Sequence, residues 1–166
     1  MSEKVQHKMV RIFNTPIEIG IRSLVILNEG EQDKVDIERL MYVDYLSLNT
    51  FDIGGPESLH APIPNRGVQV YSKKEIIQKG LVLLLSKELV KLSATEDGFM
   101  YSITEAGRKF LEFFQTKYFQ DLVSKVKWVN ENFKEYSTTE LKEYIDTNIQ
   151  RWGSEFIVTN DTDNNL

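Results

Sequence analysis

Two histidines, His7 and His60, have side chains whose ordinary pKa lies near neutrality, and no His-x-x-x-His spacing accompanies either of them. A metal site needs three or four ligands, so each His alone points to a hydrogen bond rather than a ligand. The pair Ser58 and His60 is too close along the chain to serve as nucleophile and base, and no third group can be assigned to orient them. Asp44, Asp52 and Glu57 are acids that a fold could gather, although nothing in their spacing requires it. The run Gly54-Gly55-Pro56 is not a phosphate loop, because the Lys-Ser/Thr that would meet phosphate and metal is missing. The chain has no cysteine, which removes disulfides, thiolate metal sites and cysteine nucleophiles. These residues exclude the common catalytic constellations and call for no cofactor and no metal.

The elements that must position these residues centre on 72–111. Ser72-Lys73-Lys74-Glu75 has the form of a capping box, predicting a helix over 72–89 whose stripe is Ile76, Ile77, Leu81, Leu84, Leu85 and Leu89. Val90 and Leu92 then alternate as in a strand. Asp97-Gly98 turns the chain, and Phe99, Tyr101 and Ile103 alternate on the way back. Thr104 can cap the next helix. Helix, hairpin, helix is the second half of a winged-helix domain, and Tyr101-Ser102-Ile103-Thr104-Glu105-Ala106-Gly107 resembles the wing-to-helix junction of that superfamily.

Upstream, Val10-Arg11-Ile12-Phe13 can form a short strand. Thr15-Pro16-Ile17-Glu18 is a helix start, with Thr15 as cap, Pro16 in the first turn and Glu18 closing the box; Gly30 is its stop. This helix is apolar on nearly every side, interrupted by Glu18, Arg22 and Ser23, so it must be covered all round. Asp36 can cap a second helix to about Ser47. From 49 to 71 no period survives. Phe51, Ile53, Leu59, Ile63 and Val68 are the apolar anchors that should fold this long loop onto the domain. Downstream, Phe110, Leu111, Phe114, Tyr118, Leu122, Val126, Val129 and Phe133 predict one continuous helical stripe from Glu105, with a break at 130–132. Thr138 or Thr139 can cap a last helix with Leu141, Ile145 and Ile149 inward, ending at Trp152-Gly153. The segment 156–158 is a short strand or docking peptide.

The fold class expected is therefore mainly helical α+β: a winged-helix domain over 9–130 with a two- or three-stranded wing and a long ordered loop, a helical extension over 131–158, and a disordered tail over 159–166. The formal charge is −5, and the excess acid lies after residue 130. By contrast Arg66, Lys73, Lys74, Lys79, Lys87 and Lys91 face only Glu75 and Glu88 over 66–91, a local positive patch. Lys73, Lys74 and Lys91 are the candidate DNA-phosphate contacts. Yet the helix from 72 has no Arg for a bidentate guanine contact, and Leu81-Val82-Leu83-Leu84-Leu85 leaves it no polar face in the middle. The surplus of apolar helix faces is covered either by another chain or by the loop and the C-terminal extension. A polar leader and the lack of any run long enough to span a bilayer point to a cytoplasmic protein without membrane contact.

The runs Thr15-Pro16-Ile17-Glu18-Ile19-Gly20-Ile21-Arg22, Leu27-Asn28, Asp44-Tyr45, Gly54-Gly55-Pro56-Glu57-Ser58-Leu59-His60, Pro62, Pro64, Arg66 and Gly80-Leu81, with Tyr101 in the wing, resemble the middle component of bacterial three-component systems built on an SMC-like ABC ATPase, among them Lamassu-type anti-phage defence. The resemblance runs over about 11–128. It implies a non-enzymatic winged-helix accessory subunit whose partners are the SMC-like ABC ATPase and an effector, a nuclease, with DNA touched through the complex. Gly54, Gly55, Pro56, Glu57, Ser58, Leu59, His60 and Arg66 are the candidate partner-contact residues; alternatively Gly54, Gly55 and Pro56 only fix a tight turn. The competing function is a homodimeric winged-helix transcriptional regulator that pairs through 105–133.

Overall fold

A computed structural model describes residues 15–153 of the chain. His7, the strand expected at 10–13, the segment 156–158 and the tail lie outside these residues. Within them the architecture is mainly helical α+β: seven α-helices and one two-stranded antiparallel sheet.

Helix α1 (Pro16–Glu29) starts where expected, with the Thr15 hydroxyl accepting from the Glu18 N–H at 3.2 Å. Helix α2 (Ile37–Leu48) is capped by Asp36, which accepts from the Arg39 N–H at 2.7 Å. Two 3-10 turns, Thr50–Ile53 and Arg66–Val68, lead to the short α3 (Gln69–Ser72) and then α4 (Lys74–Ser86). Strands β1 (Val90–Thr95) and β2 (Gly98–Ile103) pair from Val90 against Ile103 to Thr95 against Gly98, and Val35 adds a single bridge to Tyr101 on the other edge of β2. Helices α5 (Glu105–Leu111), α6 (Lys117–Phe133) and α7 (Thr138–Asn148) follow.

Several local expectations change, among them the break at 130–132, through which α6 continues to Phe133. Ser72 does not open a capping box, because residues 66–72 are already helical turns; its hydroxyl donates back to the Gln69 carbonyl at 2.8 Å, and Lys73 joins α3 to α4 in right-handed helical conformation. The stripe after Glu105 is two helices rather than one. Thr116 is extended and accepts from the Phe119 N–H at 3.2 Å, which resets the helix axis. Phe114 hides the break from a count of apolar spacings, since its ring packs 5.2 Å from Phe110 on one side and 5.2 Å from Phe119 on the other. The last helix takes Ser137 as its cap, in a complete capping box with Glu140. Glu18 leaves its box for Arg22 and Tyr118.

The apolar helix faces are covered largely from within the chain. Helix α1 packs against α4, α6, α2, α5 and β2, and one buried cluster runs from Ile19 and Leu24 through Leu40, Ile77, Leu81, Val126 and Val129 to Leu141, Ile145 and Trp152. Ile17 on α1 and Val82 on α4, the latter 65% exposed, are the large apolar side chains these two helices leave outside. The α1–α4 crossing is tight because Gly20 meets Gly80. A Cβ at Gly80 would come within 2.8 Å of the Pro16 carbonyl oxygen and 2.9 Å of the Gly20 nitrogen, so only hydrogen there lets the backbones touch. Arg39, buried on α2, donates to the Tyr136 carbonyl at 2.7 Å and so places a cation at the C-terminal end of α6.

Candidate functional site

Arg22 sits in the middle of an apolar helix, and a buried guanidinium there must find a carboxylate. It finds Asp44 of α2. The Arg22 Nε donates to Asp44 Oδ1 at 2.5 Å and Nη2 to Oδ2 at 3.0 Å, with both side chains almost wholly enclosed. Burial alone would raise the Asp44 pKa, but the charges of Arg22 and then Lys73 outweigh it and hold the carboxyl below its ordinary range. Burial likewise opposes the charge on Arg22, and Asp44 more than compensates.

Two further groups meet this pair. From the start of α4, the Lys73 ammonium lies 3.5 Å from Asp44 Oδ2, on a side chain only 15% exposed; burial lowers its pKa, with Asp44 partly restoring it. From α1, Glu18 lies 3.9 Å from Arg22 and accepts from the Tyr118 hydroxyl at 3.3 Å. Burial raises the Glu18 pKa, and Arg22 works against that. The Tyr118 oxygen is 2.9 Å from His60 Nε2. When the Tyr118 proton is on the Glu18 side, His60 donates from Nε2; when it is on the His60 side, His60 accepts there. His60 stays neutral because burial, and then the nearby Arg22, push its pKa down to about 4. Burial and the neighbouring Glu18 charge raise that of Tyr118.

The loop that delivers His60 is held by directed polar contacts. Thr50, fully buried, donates its hydroxyl to the Pro56 carbonyl at 2.8 Å, and its own carbonyl accepts from the Gly55 N–H at 2.9 Å. Ser58 accepts from the Phe51 N–H at 3.2 Å, and the His60 N–H donates to the Leu48 carbonyl at 3.3 Å. Gly54 takes φ +75°, and a Cβ on Gly55 would lie 2.6 Å from the Trp128 ring, so α6 packs directly onto this backbone. Further on, Arg66 grips Asp52 bidentately, Nε to Oδ2 at 2.7 Å and Nη2 to Oδ1 at 2.5 Å, and also donates to the Ile63 carbonyl at 3.2 Å. The acids Asp44 and Asp52 do not gather with Glu57; each is matched to an Arg, and Glu57 is exposed.

Between these two ion pairs opens a cavity of about 420 Å³, lined by Tyr45, Leu48, Asn49, Leu59, His60, Ala61, Ile63, Arg66, Gln69, Lys73 and Tyr118. Of the expected partner-contact residues, the cavity wall gathers Leu59, His60 and Arg66. Gly55 and Ser58 brace the loop behind it, and Gly54, Pro56 and Glu57 face outward. Lys73 turns inward to Asp44. Lys74 is half exposed and 3.5 Å from Glu38, and Lys91 is exposed on β1. Three anchors expected of the loop, Phe51, Ile63 and Val68, are on the surface, whereas Ile53 and Leu59 pack against the core. Among the described residues no group of three or more His, Asp or Glu is placed to hold a metal ion, and no helix is long and apolar enough to cross a membrane.

Sequence reasoning missed the Arg22–Asp44–Lys73 cluster and the Glu18–Tyr118–His60 chain that joins it. The signal available was Arg22 itself, a lone cation in a helix otherwise apolar at that level.

Compared with known protein families, residues 12–155 match the one described as "ABC-three component (ABC-3C) system Middle Component 2". The chain belongs to this family. Nothing matches among curated proteins or solved structures. As a middle component, the chain is an accessory member of a three-component system, and the matched stretch takes in every residue of the cavity wall.

Proposed function

We propose that this middle component is a non-catalytic winged-helix subunit of an SMC-like ABC-ATPase complex of the Lamassu type, acting in anti-phage defence by joining the ATPase to a nuclease effector. The observation that carries the reading is the family match over residues 12–155. The order of elements supports the winged-helix part: α1, the Val35 bridge, α2, α4 and the β1–β2 hairpin follow the helix and strand sequence of that fold, with the loop and α3 inserted before α4. The partner contact is the outward edge of the loop, Gly54, Pro56 and Glu57 beside the exposed Phe51, while Gly55, Ser58, His60 and Arg66 keep it rigid. A loop fixed before binding has little ordering entropy left to lose. Lys74 and Lys91 remain at the surface for phosphate contacts made by the whole complex.

Two observations weigh against the transcriptional regulator. The stripe on α6 that would pair two copies, Leu122, Val126, Val129 and Phe133, is buried in this chain's own core, and Lys73 turns into the cavity beside Asp44 rather than outward to a DNA groove. The deciding experiment is co-expression with the proteins encoded beside it. The expected result is a stable complex with the ATPase that is lost on Glu57→Arg with Phe51→Glu, and loss of phage resistance in cells carrying that double variant. A chain that purifies alone in the presence of those neighbours overturns the reading.

A further inference from the structure

We propose that the cavity between the two ion pairs is a binding site for a small organic anion, one carboxylate or phosphate on an apolar body. The oxyanion would sit on Lys73 and the body against Leu48, Leu59 and Ile63.

The volume, about 420 Å³, falls in the range of about 300–1,000 Å³ typical of small-ligand sites. The charged residues on the wall are Arg66 and Lys73, both cationic; their carboxylate partners, Asp52 and Asp44, stand behind it. The two cations are not equivalent. Arg66 spends its fork on both oxygens of Asp52. Lys73 has three N–H donors, and among the described residues its charged partner is Asp44 at the long distance of 3.5 Å. Asp44 already has both oxygens on Arg22, so Lys73 shares a carboxylate that is already engaged, and its ammonium lines the cavity. Glu18, the next acid, engages Arg22 at 3.9 Å and the Tyr118 hydroxyl rather than Lys73. A buried ammonium with unspent donors is costly until an acceptor reaches it. An anion meets that need; a cation meets repulsion. Tyr45, Leu48, Leu59 and Ile63 make the remaining wall mainly apolar, which suits a ligand with a hydrocarbon or aromatic body, and Gln69 is an exposed amide at the mouth.

Such an anion can be a free phosphorylated small molecule or the C-terminal carboxylate of another chain. The test titrates the full chain, alone in solution, with N-acetyl-leucine, phenyl phosphate and the neutral N-acetyl-leucinamide, following the methyl resonances of Leu48, Leu59 and Ile63. A charge-assisted hydrogen bond from a buried ammonium predicts that at least one anion binds saturably and at least about tenfold more tightly than the amide. Preference for N-acetyl-leucine assigns the site to a chain terminus, and preference for phenyl phosphate assigns it to a free phosphorylated molecule. Lys73→Met should weaken binding by at least about tenfold. Ala61→Trp should do the same by filling the cavity while leaving all three charges in place, which keeps the test decisive if Lys73→Met fails to fold. Equal binding of acid and amide, unmoved methyl resonances at millimolar anion, or unchanged binding by folded Ala61→Trp overturns the proposal. Because no ATPase is present, failure here and failure of the assembly reading are separate results.

Discussion

Leu81 and Phe51 are both large apolar side chains in ordered parts of the molecule, yet Leu81 is fully buried under α1 while Phe51 is 73% exposed on a turn that keeps its shape without it. The helices hold together by burying side chains against one another. The stretch between α2 and α4 holds together by directed polar contacts: Thr50 on Pro56, Arg66 on Asp52, His60 on Tyr118. Burial tolerates small shifts, because dispersion and hydrophobic contact are nearly non-directional. Hydrogen bonds and bidentate pairs do not, so a loop built on them presents its outer edge in one geometry. The same contrast explains why the cavity lies where it does, on the seam between the two kinds of packing.

The largest expected effect falls on the residue that belongs to both. Asp44→Ala strands Arg22 and Lys73 without their carboxylate and should cost about 3–5 kcal/mol in urea denaturation. A smaller loss would mean that the ion cluster is less enclosed than its geometry indicates. Next, Leu81→Ala should cost about 3 kcal/mol by the same measurement, through lost burial and the void left behind.

The third effect is a pH dependence. His60 titrates at about 4 in the folded chain and near 6.5 when unfolded, so the unfolded state binds a proton in that interval that the native state does not. Stability should be full above about pH 6.5 and fall by about 2–3 kcal/mol as the pH drops to about 4. His60→Gln should flatten this slope in thermal melts. The loss due to Asp44, whose folded pKa is lowered, should persist in that variant, because it begins only near the ordinary carboxyl value of 3.8 and continues below it. Smallest of all, Phe51→Ser should change stability by less than about 0.5 kcal/mol. A loss comparable to that of Leu81→Ala would erase the distinction between the two regions.

The sequence carried the helices well because their signals are local and redundant. Thr15, Asp36 and Thr104 each cap the helix expected of them, and the Val90 to Ile103 hairpin follows from alternation and one Asp-Gly turn. The division between α5 and α6 escaped, because Phe114 satisfies the apolar spacing of both helices and only the backbone at Thr116 betrays the break. The loop was legible as a folded segment but not in its means. Apolar residues were the obvious anchors, whereas Thr50, Asp52 and Arg66, which look like ordinary surface residues in the sequence, are the ones buried or paired. The ion cluster was illegible for a related reason: Arg22, Asp44 and Lys73 are far apart along the chain, and periodicity says nothing about which charges will meet.

The contact between Gly20 and Gly80 rests on one of the two: a Cβ at position 20 would keep ordinary distances, while one at position 80 would press into the backbone of α1. A relative with a bulkier residue at position 80 must seat its fourth helix farther from the first, and Lys73, riding at the start of that helix, would be carried away from Asp44. A glycine at position 80 is therefore a marker, readable in a bare sequence, of which relatives keep the cationic chamber.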